Sequence, residues 1–253
     1  MLKKLLAGIG IGAASVNLEI PQPRVPIGGT VSGTVKVRGG SVDQKIEQIY
    51  ITLVLDSSYK HDDETRHLRQ EIGTVKVSDG MLVKANSPEV SIPVQLRLPY
   101  SIPISKGRSK YYFITGLDIK SAVDPKDQDE IVVLPNTYMQ MFFDAVRLLG
   151  FREKPFSGDY NGRFQAFEYR PTSFMAGKLD EIEVYLNATE FALNVVMQID
   201  KKVRGFWGKI ADDLDLDERH VGFAFNYREM QNPNKVAARI KEIIEDEYRK
   251  ISF

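Results

Sequence analysis

The chain has 253 residues, enough for one large domain or two of ordinary size, and its 43% hydrophobic content can fill a core in either arrangement. Its 34 basic residues balance 34 acidic ones, so no global field draws it to nucleic acid or to an acidic membrane, and partner recognition must be local. It has no cysteine, which excludes thiolate nucleophiles, disulfide frameworks and sulfur-ligated metals.

The N-terminus, MLKKLLAGIGIGAASV, mimics a secretory signal in its dibasic start and its apolar stretch from Leu5 to Ala14, but three alternate glycines make a poor helix there. Gly8, Gly10 and Ala13 have the spacing G-x-G-x-x-A. The seven residues before Gly8 leave no room for the strand that a dinucleotide fingerprint needs. Residues 1–14 are therefore read as an N-terminal helical turn, with Lys3 and Lys4 outward and Leu2, Leu5 and Leu6 packed on the body or on a second subunit. No stretch approaches the roughly 20 apolar residues of a membrane span.

From residue 15 the pattern has period two. Val31, Gly33, Val35 and Val37 share one face of TVSGTVKV, and Ile49, Ile51, Leu53 and Leu55 share one face of IYITLVL. In VSIPVQLRL, Val90, Ile92, Val94, Leu96 and Leu98 face one way, and Pro93 places that strand at an edge or a bulge. Turn clusters separate these runs without intervening helices, which spells a β-sandwich over residues 15–119. The acidic stretch 120–132 and a change in composition mark a junction. Residues 133–253 form a second domain. It opens with an amphipathic helix in NTYMQMFFDAVRLLG, with Asn136 or Thr137 as cap and Gly150 as stop. Strands resume at RFQAFEY, EIEVYLN, EFALNVVMQI and HVGFAFNY, and a final helix is capped by Asn232 with Pro233 at its first position.

Little here points to chemistry. His61 and His67, in YKHDDETRH, read as part of a solvated hairpin loop between two strands, and their spacing matches no zinc pattern. Asp213, Asp215 and Asp217 begin like a calcium loop, but Glu218 and Ala224 occupy the positions that need glycine and a bidentate glutamate. No nucleophile elbow and no phosphate-cradling loop are present, and Ser57 with Lys60 is a chance spacing. No catalytic residue, metal or cofactor is assigned. One segment, QIDKKVRGFWGKI, is basic and aromatic, and Arg204, Phe206 and Trp207 are candidate partner-binding residues on a projecting arm. The alternative is that Phe206 and Trp207 fold back onto the core.

Four segments carry a resemblance: GGTVSGTVKVRGGSVDQKIEQIYITL, IPVQLRLPYSIPIS, YYFITGLDIKSAVDPKDQDEIVV and GRFQAFEYRPTSFMAGKLDEIEVYL. Together they resemble the bacterial sporulation-control protein family, whose members look like arrestins in fold, and the likeness covers nearly the whole chain. It implies a mainly β protein with two arrestin-like β-sandwich domains in tandem, the second opened by a helix and the chain closed by another. It further implies a cytoplasmic, non-enzymatic regulator or scaffold that acts through protein partners and can form a homodimer. Asp118, Asp124, Asp127 and Asp129 then fall where the domains join. The resemblance implies an interdomain polar network with Arg108, Lys110, Arg163 or Arg170. Two alternatives stand beside it: a metal-dependent enzyme built on these aspartates with His61 or His67, and a peripheral membrane regulator.

Overall fold

A computed structural model describes residues 12–61, 64–119, 124–201 and 218–250. Its backbone divides into two units, Met1–Pro99 with Ser109–Leu134, and Tyr100–Arg108 with Pro135–Phe253. The helical turn expected over residues 1–14 lies outside the described residues except for its last three positions.

The first unit stacks two sheets. Strands β1 (Ser15–Glu19), β3 (Thr30–Arg38) and β7 (Val90–Arg97) make a three-stranded sheet in the order β1-β3-β7. The other sheet has the order β2-β9-β8-β4-β5, built from β2 (Arg24–Pro26), β4 (Gln44–His61), β5 (Glu64–Ser78), β8 (Lys110–Ile119) and β9 (Lys126–Leu134), with β6 (Met81–Val83) paired to β4. Alternation sends Val31, Val35 and Val37 inward from one sheet and Ile49, Ile51, Leu55, Tyr111, Leu117, Ile131 and Val133 inward from the other. Burying each such side chain is worth about 1.5–3 kcal/mol. Pro93 lies on β7 at a sheet edge, the place its missing N–H requires.

Two sequence readings change here. The run expected as a hairpin loop is strand almost throughout: β4 continues to His61 and β5 resumes at Glu64, with Ser58 opposite His67 and Tyr59 opposite Arg66. Its polarity reflects an edge strand exposed along most of its length. The acidic stretch expected as a junction is, from Lys126 onward, strand β9 inside the first unit, because its alternate residues supply inward side chains.

In the second unit, β10 (Phe151–Glu153), β11 (Ala166–Pro171), β12 (Leu179–Ala188), β13 (Ala192–Lys201) and β14 (Glu218–Asn226) form one antiparallel sheet in chain order. Helices α1 (Thr137–Leu148) and α2 (Pro233–Lys250) back one face of it. Phe142 of α1 meets Phe225 with ring centroids 6.3 Å apart, and Phe143 meets Phe167 at 4.9 Å. Leu193, Val195, Met197 and Ile199 complete this core. The cap residues do what was expected of them: Asn136 Oδ1 accepts the Met139 amide at 2.9 Å, and Asn232 Oδ1 accepts the Lys235 amide at 3.0 Å. Gly150 ends α1 with φ +81°, where a side chain would be strained.

Candidate functional site

Strand β9 turns Asp127, Asp129, Ile131 and Val133 to the inside of the first unit, so two carboxylates stand where apolar residues would be ordinary. Its neighbour β8 places Thr115 opposite Asp127 and Phe113 opposite Asp129. Directly paired residues of an antiparallel ladder share a face, so Thr115 is set beside both acids. Asp127 Oδ2 accepts the Leu18 amide at 2.8 Å, joining β9 of one sheet to β1 of the other. Asp129 Oδ2 is buried and accepts no hydrogen bond from the described residues. Burial, then the charge of Asp127 and a hydrogen bond to it, lifts the Asp129 carboxyl from its ordinary 3.8 to about 6. Thr115 is 0% exposed, and its hydroxyl also has no partner among the described residues. Among the described residues no lysine or arginine is paired with either acid.

The other residues of the expected network have different neighbours. Asp118 is exposed near the end of β8, opposite Gln48. Asp124 Oδ1 accepts the Ile119 amide at 3.1 Å. Arg108 pairs with Asp159, its Nη2 lying 2.6 Å from Oδ2, and both belong to the second unit. The Arg163 amide donates to Asn161 Oδ1 at 3.0 Å, and Arg170 lies on β11 opposite Arg152. Lys110 opens β8 opposite Asp56. Arg204, Phe206 and Trp207 lie outside the described residues. His67 is on β5, and His220 Nε2 is 3.1 Å from Gln198 Oε1 on the sheet of the second unit. Among the described residues no three histidines, aspartates or glutamates converge.

The sequence reading missed a surface in the second unit. On the sheet face away from the helices, cross-strand pairing aligns Glu168, Glu183, Gln198 and His220 in one row. A second row holds Ala166, Tyr185, Val196 and Gly222, and a third holds Asn187, Asn194 and Ala224. Val196 is 45% exposed and nearby Phe164 56%, with the Phe164 ring edge-on to Tyr185 at 5.6 Å. A groove of about 410 Å³ opens among Tyr100, Tyr160, Phe164, Tyr185, Asn194 and Val196. Beside it Lys154 bonds Glu168 at 2.8 Å and also Glu181; burial opposes its charge, but these two bonds raise its pKa overall. Burial, and repulsion from Glu168 and Glu181, push the Glu183 carboxyl up. The signal was available in ALNVVMQID, where Val196 is the apolar member of an otherwise polar outward face.

A sequence profile of the family described as "SpoOM protein" matches residues 2–203. The chain belongs to the SpoOM protein family. The sporulation-control protein spo0M of Bacillus subtilis (strain 168) is 30% identical over 256 residues, spanning 97% of this chain and 98% of that protein. The crystal structure of Spo0M from Bacillus subtilis matches with a TM-score of 0.78 at 26% identity, covering 94% of this chain and 100% of that one. The resemblance drawn from the four sequence segments is therefore borne out, as is a mainly β fold with a terminal helix. No helix among the described residues is long and apolar enough to cross a membrane.

Proposed function

We propose that this SpoOM-family chain is a non-catalytic regulator that acts by contact with other proteins, as a scaffold or adaptor in the cytoplasm. The name of its Bacillus relative supports a role in controlling a developmental process. The observation that carries the contact reading is the outward face of the five-stranded sheet, where Phe164, Tyr185 and Val196 present apolar surface beside a glutamate row. Exposed apolar surface rimmed by polar groups is what an interaction site requires. The other open feature, edge strand β5, fits less well. It carries Glu64, Arg66, Arg69, Glu71 and Lys76 and two register shifts against β4, devices that discourage strand addition.

Affinity capture from the native host tests this reading, with wild-type protein and Val196→Glu as paired baits. Proteins retained by the wild type and lost by the variant support it; an identical set with both baits counts against it. An enzyme built on Asp127 and Asp129 would instead show turnover that Asp129→Asn abolishes.

A further inference from the structure

Buried charges in proteins are paired, neutralised by a proton, or bound to a metal. Asp127 and Asp129, each half-buried and with Asp129 Oδ2 fully so, stand side by side on the inner face of β9 with no cationic side chain among the described residues to pair them. A proton held between the carboxyls would relieve their repulsion and join Asp129 to Asp127 by a hydrogen bond. It would leave the hydroxyl of Thr115, fully buried on the same face opposite Asp127, without a partner. The two buried side-chain polar atoms that lack partners among the described residues, Thr115 Oγ1 and Asp129 Oδ2, belong to this one cluster. Unsatisfied buried atoms are rare enough that two in one place call for a common occupant.

We infer that the oxygens of Asp127, Asp129 and Thr115 form a structural site for a calcium ion, held between the sheets of the first unit. All the donors are oxygen, which selects a hard cation, and the two carboxylates balance a double charge. Asp127 has one oxygen committed to the Leu18 amide at 2.8 Å, so it approaches the site from one side only. That constraint gives an irregular ligand set, which calcium accepts and magnesium, with its demand for near-ideal octahedral geometry, does not. The remaining positions would be completed by water or backbone carbonyls. The ion would have no catalytic task. It would strengthen the link that Asp127 already makes between β9 and β1, and this inference stands independently of the protein-contact reading above.

The test uses the full chain, stripped with EDTA and titrated with calcium chloride, and separately with magnesium chloride, by isothermal calorimetry and by thermal unfolding. The expected result is one calcium bound per chain, a higher melting temperature, and an affinity for calcium at least tenfold above that for magnesium. Asp129→Asn, which has the shape of the protonated acid, should weaken calcium at least tenfold, and Thr115→Val several-fold. Glu181→Gln, an acidic change in the second unit, should leave binding intact. Circular dichroism checks that each variant is folded, and if Asp129→Asn fails, Thr115→Val carries the same decision. No heat and no thermal shift at millimolar calcium would overturn the site in favour of a shared proton, and so would calcium binding unchanged in both variants.

Discussion

Asp127 Oδ2 accepts the backbone amide of Leu18 at 2.8 Å, so a carboxylate on β9 satisfies an amide on the facing sheet. Its neighbour Asp129 has no such donor among the described residues, and the two acids respond differently to replacement. Asp127→Asn keeps the size but makes a weaker acceptor for the Leu18 amide, and should lower stability by about 1–2 kcal/mol. Chemical denaturation at pH 5 in EDTA, where Asp129 holds its proton and repulsion between the acids is small, measures this.

Asp129 sets a pH dependence. Its carboxyl is raised from 3.8 to about 6, so the folded chain holds more protons than the unfolded chain between those values. Stability from this group is fully present below pH 3.8 and falls as pH rises through about 6. Discounted for solvent screening, the loss is about 1–2 kcal/mol. Urea midpoints at pH 5 and pH 7.5 in EDTA should show it for the wild type. Asp129→Asn should remove that component of the difference.

Gln165 is buried and ties residues 100–108 to the second unit. Its Oε1 accepts the Ile104 amide at 2.9 Å, and its Nε2 donates to the carbonyls of Ile104 at 2.9 Å and Gly158 at 2.8 Å. Gln165→Ala strands the Ile104 amide and the Gly158 carbonyl, while the Ile104 carbonyl keeps the Lys106 amide at 2.8 Å, and should cost about 2–4 kcal/mol. Gln165→Glu should be worse, since a carboxylate would face two carbonyl oxygens. Thermal unfolding of the two variants gives the order directly.

Arg108 and Asp159 form a two-contact pair in which Nη2 is 2.6 Å from Oδ2 and Nε is 3.4 Å from Oδ1. Their side chains are 32% and 19% exposed, which places the pair between a solvated ion pair and a buried one. A double-mutant cycle with Arg108→Ala and Asp159→Ala should give a coupling of about 1–2 kcal/mol that shrinks in high salt. A coupling near zero would class it as a surface pair.

Gly150→Ala tests the end of α1. The residue has φ +81°, and an added Cβ would lie 1.7 Å from the Ser173 hydroxyl oxygen. The strain should cost about 1–3 kcal/mol. Removing the clash with Ser173→Gly in the same chain should recover only part of this, since the backbone strain remains. Denaturation of the single and double variants measures both parts.

The strands and caps were legible because their signals are local. Alternation in TVSGTVKV and VSIPVQLRL, and the pairs Asn136 with Gly150 and Asn232 with Pro233, each depend on a few neighbouring residues. The placement of residues 100–108 was not legible, because it rests on Gln165 reaching Ile104 across 61 positions of sequence. The aspartates show a third case. In KDQDEIVV the same alternation that revealed other strands puts Asp127 and Asp129 on the face of Ile131 and Val133, but charge made the segment look like a junction between domains. The outward surface around Val196 went unremarked for the opposite reason. A lone apolar residue between Asn194 and Gln198 has meaning only when Tyr185 is known to lie opposite and Phe164 against it.

Site-specific photo-crosslinking in the native host tests the central claim most directly, with a photoreactive phenylalanine at position 164 and, as control, at Leu82, which is 61% exposed on β6 of the first unit. The account predicts a discrete protein adduct from position 164 that Val196→Glu suppresses, and none from position 82. No adduct from position 164, or the same adducts from both positions, would contradict it.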